Sequence, residues 1–369
     1  MLRLLATTSF LSALLLLGCG GDSGSGLDFR EFDSSVEAFV ADNELEGATA
    51  VVVHRDLGIV HLRGYGDFDR DRISLVASSS KVLSAGVLMR LADEGQVDLD
   101  APISDTLGAW GEHKTDITTA QLLSNSSGML GLLDDSFYEP YLCQYLNDGT
   151  LAGCAEDIYT ADDADTRVEP DTQFRYGGGQ WQLAGGVAEV ASGQTWHALI
   201  DEMYTQPCGL EDTGYVNHFM SSGMAYPDYF DGDLADLDPT DNPNIEGGAH
   251  TTAEDYGQIL LMHLRDGRCG DTQVLSPAAV ERMRQDRIGE VYDGTTIDPT
   301  LAGYGFGWWV DRENEGVVAD GGAYGAMPWL DVPRGYGAMI ILEDDAVLGS
   351  TLRLQVKPIL DEIFDTMVE

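Results

Sequence analysis

Strand-like segments gather at the two ends of this 369-residue chain, and the long middle reads as helix. Near the start, Ala48 to Val53 and Gly58 to Leu62 are rich in β-branched residues and flank a polar turn, Arg55 to Gly58, which predicts a hairpin. Strand-like runs return only at Phe306 to Val310, Gly316 to Ala319, Ala326 to Asp331 and Tyr336 to Leu342. Helical periodicity predicts helices around Val36 to Val40, Gln180 to Val190, Trp196 to Tyr204, Thr252 to Leu264 and Leu352 to Met367. Strands that bracket helices predict one α+β domain. Both chain ends build an antiparallel sheet flanked by helices, and a mainly helical subdomain, about 80–266, is inserted between them. No internal repeat is visible.

The N-terminus carries a different signal. Met1-Leu2-Arg3 is a short basic start, Phe10 to Leu17 an apolar core, and Leu16-Leu17-Gly18-Cys19 a small-residue ending with a cysteine. This resembles a bacterial lipoprotein signal. The resemblance implies that residues 1–18 are removed, Cys19 is lipidated, residues 19–27 form a Gly/Ser-rich tether, and the domain occupies 28–369. The expected location is the bacterial cell envelope, with membrane attachment only through the lipid at Cys19. Four further cysteines, Cys143, Cys154, Cys208 and Cys269, suggest two disulfides in an exported chain, with three possible connectivities. Cys143 and Cys154 bracket a short loop, so they are expected to pair, leaving Cys208 for Cys269. Neither Cys-x-x-Cys nor His-x-x-x-His occurs, which argues against zinc.

Acidic residues outnumber basic ones by 63 to 20, a formal charge of −43, which argues against nucleic acid or an anionic lipid surface as partner. The densest acidic stretch, Asp228 to Asp241, lacks EF-hand spacing, with Ala235 where a ligand belongs. No metal or cofactor is assigned.

Lysine is scarce: Lys81, Lys114 and Lys357 are all there are. Lys81 stands three residues after Ser78, at the head of an apolar helical run (Val82, Leu83, Ala85, Val87, Leu88, Leu91) that Gly95 closes. Positions i and i+3 share a helix face, so the Ser78 hydroxyl and the Lys81 amine would be neighbours. A lysine whose pKa burial has lowered can take a proton from serine, and the helix N-terminus favours the resulting alkoxide. The alternative on the residues alone is a capping serine beside a surface lysine.

Further segments fall in a recognisable order. They are SSSK at 78–81, EGQVDLDAP at 94–102, LLSNSSGM at 122–129, FRYGGG at 174–179, GGAHTTAED at 247–255 and YGFGWW at 304–309. Together they resemble the penicillin-recognising serine hydrolases: class C β-lactamases, D-alanyl-D-alanine carboxypeptidases and related esterases. The resemblance implies Ser78 as nucleophile, Lys81 and Tyr176 as partners in proton transfer, and an oxyanion hole from the backbone N–H groups of Ser78 and Ala323. A nearby lysine cation is expected to lower the tyrosine pKa from about 10 toward that of a base.

Two departures mark the substrate-binding positions. Gly178 stands where the family's Tyr-x-Asn has its amide, and Asp320-Gly321-Gly322 replaces Lys-Thr-Gly or His-x-Gly. An aspartate at that place would repel a substrate carboxylate. The resemblance thus implies cleavage of a small ester or amide that carries no essential carboxylate. A β-lactamase or D,D-peptidase is the enzymatic alternative, and a catalytically silent ligand-binding relative the other. The Gly-x-Ser-x-Gly of α/β-hydrolases is missing.

Overall fold

The structure, a computed structural model, describes residues 26–135, 137–222, 225–289 and 301–368. The signal-like segment and Cys19 therefore lie outside the described residues. The chain opens with helix α1 (Arg30–Asp42) and the hairpin β1 (Gly47–His54) and β2 (Gly58–Gly66). The late strands are β3 (Gly303–Tyr304), β4 (Trp309–Val310), β5 (Val317–Ala319), β6 (Met327–Asp331) and β7 (Tyr336–Ile341). All seven form one antiparallel sheet in the order β2-β1-β7-β6-β5-β4-β3. The two chain ends meet where β1 pairs with β7, from Thr49 opposite Ile341 to His54 opposite Tyr336.

Every residue of β1 is buried, because both faces of the sheet are covered. Its alternation divides two cores. Ala48, Ala50 and Val52 join α1 and the last helix, while Val51 and Val53 face the helical insert. Each large apolar side chain so buried contributes about 1.5–3 kcal/mol. α1 presents Phe32, Val36, Phe39 and Val40 to the first core. The last helix (Ala346–Val368) presents Leu352, Val356, Leu360 and Phe364, four residues apart and on one face.

The insert contains α2 (Ser80–Asp93), α3 (Gly179–Ser192) and α4 (Ala253–Leu264). It is mainly helical, as expected, and also carries short strands. Ser74–Leu75, Ala249–Thr251 and Gly214–Tyr215 form a three-stranded antiparallel sheet at its base. Segments of two or three residues are too short for alternation to register in a sequence. The strand expected over 306–310 shrinks to β4. Gly305 N–H donates to Trp308 O at 2.9 Å, and Gly307, at φ +78°, packs against the Lys81 backbone, where a Cβ would lie 2.6 Å from Lys81 O. Both disulfides are present, Cys143 with Cys154 and Cys208 with Cys269.

Candidate active site

Ser78 sits on a single 3₁₀ turn (Ala77–Ser79) that feeds directly into α2. Ala77 holds φ +45°, a left-handed conformation that costs an alanine on the order of 1–3 kcal/mol and persists only where its surroundings enforce it. The neighbouring serines supply that enforcement. Ser79 Oγ donates to Asp320 O at 2.7 Å, tying the turn to the chain just after β5. Ser80 Oγ donates to Ala77 O at 2.5 Å and accepts from Ala249 N–H at 2.9 Å. Tyr256 and Tyr215 hydroxyls donate to the carbonyls of Ser79 and Ser80 at 2.8 and 2.9 Å. Ser78 alone of the three keeps its hydroxyl for the cleft.

The capping alternative does not hold. α2 has no side-chain cap at its N-terminus, and Lys81 is 0% exposed. Lys81 Nζ donates to Ser78 Oγ at 3.1 Å and to Glu246 O at 2.9 Å. The Glu246 carboxylate lies 3.4 Å from the same nitrogen. Burial lowers the Lys81 pKa despite the acids beside it, Glu246 first and then Asp320.

Tyr176 completes the group. Its hydroxyl is in hydrogen-bonding contact with Ser78, and Lys81 Nζ stands 4.7 Å from its ring centroid. The ring stacks on Trp309 at 5.4 Å and meets the edge of Tyr304 at 6.1 Å. Asn125 fixes the turn that follows, accepting from Gly177 N–H at 3.0 Å and from the Trp181 indole at 2.8 Å. The expected lowering of the tyrosine pKa is not what the surroundings produce. Burial, reinforced by Asp320, pushes the Tyr176 hydroxyl well above its ordinary value. With its pKa raised, the Tyr176 hydroxyl can donate a proton, and Lys81, with its pKa lowered, can accept one.

The positions of the third motif also behave differently from the expectation. Asp320 is 0% exposed, and neither carboxyl oxygen has a hydrogen-bond partner among the described residues. Burial pushes its pKa well up against the pull of Lys81, which weakens the repulsion expected toward a substrate carboxylate. Gly322 serves packing: its N–H donates to Ala326 O at 2.7 Å, and a Cβ there would lie 2.1 Å from Val76 O. Gly321 and Ala323 lie half-buried on either side of it, Ala323 bordering the aromatic group of Phe219, Tyr226 and Tyr324. Gly178 N–H donates to Glu246 Oε2 at 2.8 Å. Sequence reasoning missed Glu246, whose signal was only that it immediately precedes the landmark Gly247-Gly248.

Comparison with known proteins shows the family and the fold. The Beta-lactamase family profile matches residues 32–350. Penicillin-binding protein 4 of Amycolatopsis lactamdurans is 28% identical over 343 residues, 85% of this chain and 84% of that protein. Esterase EstB of Burkholderia gladioli is 28% identical over 203 residues, about half of each chain (50% and 51%). The crystal structure of a beta-lactamase candidate from Bacteroides dorei superposes with a TM-score of 0.71 at 26% identity, covering 91% of this chain and 99% of that one.

Proposed function

This chain belongs to the beta-lactamase family of serine hydrolases, and from that premise we propose that it is an exported enzyme cleaving an ester or amide through an acyl-enzyme on Ser78. The observation that carries the reading is the buried Lys81 amine in hydrogen-bond contact with the Ser78 hydroxyl. Ser78 Oγ attacks the substrate carbonyl while its proton passes to neutral Lys81. The oxyanion is received by the backbone N–H groups of Ser78 and Ala323, where one such donor is worth on the order of 3 kcal/mol. The Tyr176 hydroxyl donates its proton to the departing alcohol or amine and recovers one from the Lys81 ammonium. Water then attacks the acyl carbonyl and passes a proton to Lys81, and the acyl–Oγ bond breaks as Lys81 returns that proton to Ser78 Oγ, releasing the acid.

The third motif carries Asp320, buried and with its pKa raised, in place of a cation, so no carboxylate anchor is provided there. This supports substrates without an essential carboxylate. Export fits the two disulfides, which persist in oxidising compartments. Attachment would come through lipid at Cys19, in the cell envelope. Among the described residues no helix is long and apolar enough to cross a membrane.

The test is a panel of p-nitrophenyl esters of increasing chain length, run beside nitrocefin. Ester turnover lost in Ser78→Ala, with nitrocefin kcat/KM at least about tenfold lower, is the expected result. A lasting benzylpenicillin adduct on Ser78 without ester turnover would transfer the assignment to a penicillin-binding enzyme, a reading the likeness to penicillin-binding protein 4 favours.

A further inference from the structure

Glu246 grips Lys81 twice, once through its carbonyl at 2.9 Å and once through its carboxylate at 3.4 Å. The carboxylate is 5% exposed, and an ion so placed must be paired and hydrogen-bonded. Gly178 N–H meets that need at 2.8 Å. The space is equally specific: a Cβ on Gly177 would lie 2.4 Å from Glu246 Oε2. Gly177 and Gly178 both hold left-handed backbone, at φ +70° and +84°, which turns the 178 N–H onto the carboxylate. The turn that carries Glu246 is itself held: Ile245 N–H donates to Gln182 Oε1 at 3.1 Å, Gly248 N–H to Asn244 O at 2.9 Å, and Asn244 Nδ2 to Gln144 O at 2.9 Å.

We propose that Glu246 is a positioning residue for Lys81, its carboxylate holding the amine on Ser78 and setting the pH above which that amine accepts the serine proton. Gly177 and Gly178 are the backbone that admits and caps it. The groups facing Lys81 are Ser78 on its own turn, Tyr176 before α3, Asp320 after β5 and Glu246 before the 249–251 strand; Tyr304 lies behind Tyr176 and Tyr145 behind Glu246. Asp320 is the other acid within reach, but neither of its carboxyl oxygens makes a hydrogen bond, to the amine or to any other described group. The ionic partner is therefore Glu246. The proposal rests on Ser78 and Lys81 being nucleophile and base.

The sign of the effect follows from electrostatics. An anion beside Lys81 stabilises the ammonium, so activity, which needs the neutral amine, begins at higher pH than it would without Glu246. Removing the charge moves the acid limb of the pH profile to lower pH.

The experiment is the rate of Ser78 labelling by a fluorophosphonate as a function of pH, read by intact mass on the full-length protein, for wild type, Glu246→Gln and Glu246→Asp. In Glu246→Gln the acid limb is expected to move down by about 1–3 pH units. Glu246→Asp keeps the charge but retracts it by one methylene, so it should label at least about tenfold more slowly with its limb near the wild-type position. Should the glutamine variant fail to fold, the aspartate variant still decides: wild-type rate and profile there would overturn the positioning role. A Glu246→Gln profile that superposes on wild type overturns the proposal alone. Wild-type protein that takes no label on Ser78 at any pH overturns the hydrolase reading and this proposal with it.

Discussion

Lys81 and Lys114 are both buried, and burial lowers the pKa of each, yet their surroundings assign them opposite roles. Lys114 Nζ bonds Asp163 Oδ2 at 3.0 Å and the carbonyls of Tyr159 and Ala161 at 3.1 and 3.3 Å. The Tyr141 hydroxyl donates to the same Asp163 carboxylate. Every contact there is with a group that has no reaction to perform, and the cluster ties helix Leu151–Thr160 to the loops around it. Lys81 has the same number of oxygen neighbours, but one of them is a serine hydroxyl at the cleft. A lowered lysine pKa thus says little about function until its partners are named. What separates the two is whether the amine has somewhere useful to put a proton.

The comparison breaks most sharply at the chemistry. Lys81→Met should lower kcat/KM for an activated ester by about 10²–10⁴-fold, and Ser78→Ala should abolish turnover, with near-wild-type far-UV circular dichroism in both. Lys114→Met should leave kcat/KM of the folded protein unchanged. Asp163→Ala reverses the pattern: it strands a buried ammonium and should cost about 3–5 kcal/mol in urea unfolding while the folded enzyme keeps its kcat/KM. In wild type, kcat/KM should rise with pH through the Lys81 pKa. Because burial depresses that value, the rise should come below the ordinary lysine value of about 10.4.

Smaller effects sharpen the picture. Reducing the Cys143–Cys154 bridge, which closes an 11-residue separation, should cost about 2–3 kcal/mol. Asn242 Nδ2 donates to Cys143 O at 2.9 Å in the segment beside the Glu246 turn, so hydrolytic activity should fall before global unfolding as urea is raised. The smallest effect is expected from Asp320→Asn. Burial favours the uncharged carboxyl and an amide has the same shape, so kcat/KM should change by less than about threefold and the acid limb should stay in place. A large shift there would mean that Asp320 carries charge.

The longer strands of the sheet were legible as apolar, β-branched runs bounded by turn residues, as in β1 and β7, and the helices because Phe32, Val36, Phe39 and Val40 or Leu352, Val356, Leu360 and Phe364 repeat at helical spacing. Ser78 and Lys81 were legible because three positions on a helix fix a neighbourhood. The base of the insert was hidden, since strands such as Gly214–Tyr215 carry no period. Glu246 was hidden for another reason. It reaches Lys81 across 165 residues of chain, and no local spacing encodes such a contact. The pKa shifts of Tyr176 and Asp320 were misread because charge arguments from sequence omit desolvation, which raises both.

The most direct test of the central claim is the rate of fluorophosphonate labelling, mapped to its residue by peptide mass spectrometry, in wild type, Lys81→Met and Lys114→Met at one pH. The account predicts a single adduct on Ser78, formed at least about 100-fold more slowly in Lys81→Met and at the wild-type rate in Lys114→Met. An adduct on any other residue, or equal slowing by both substitutions, would contradict it.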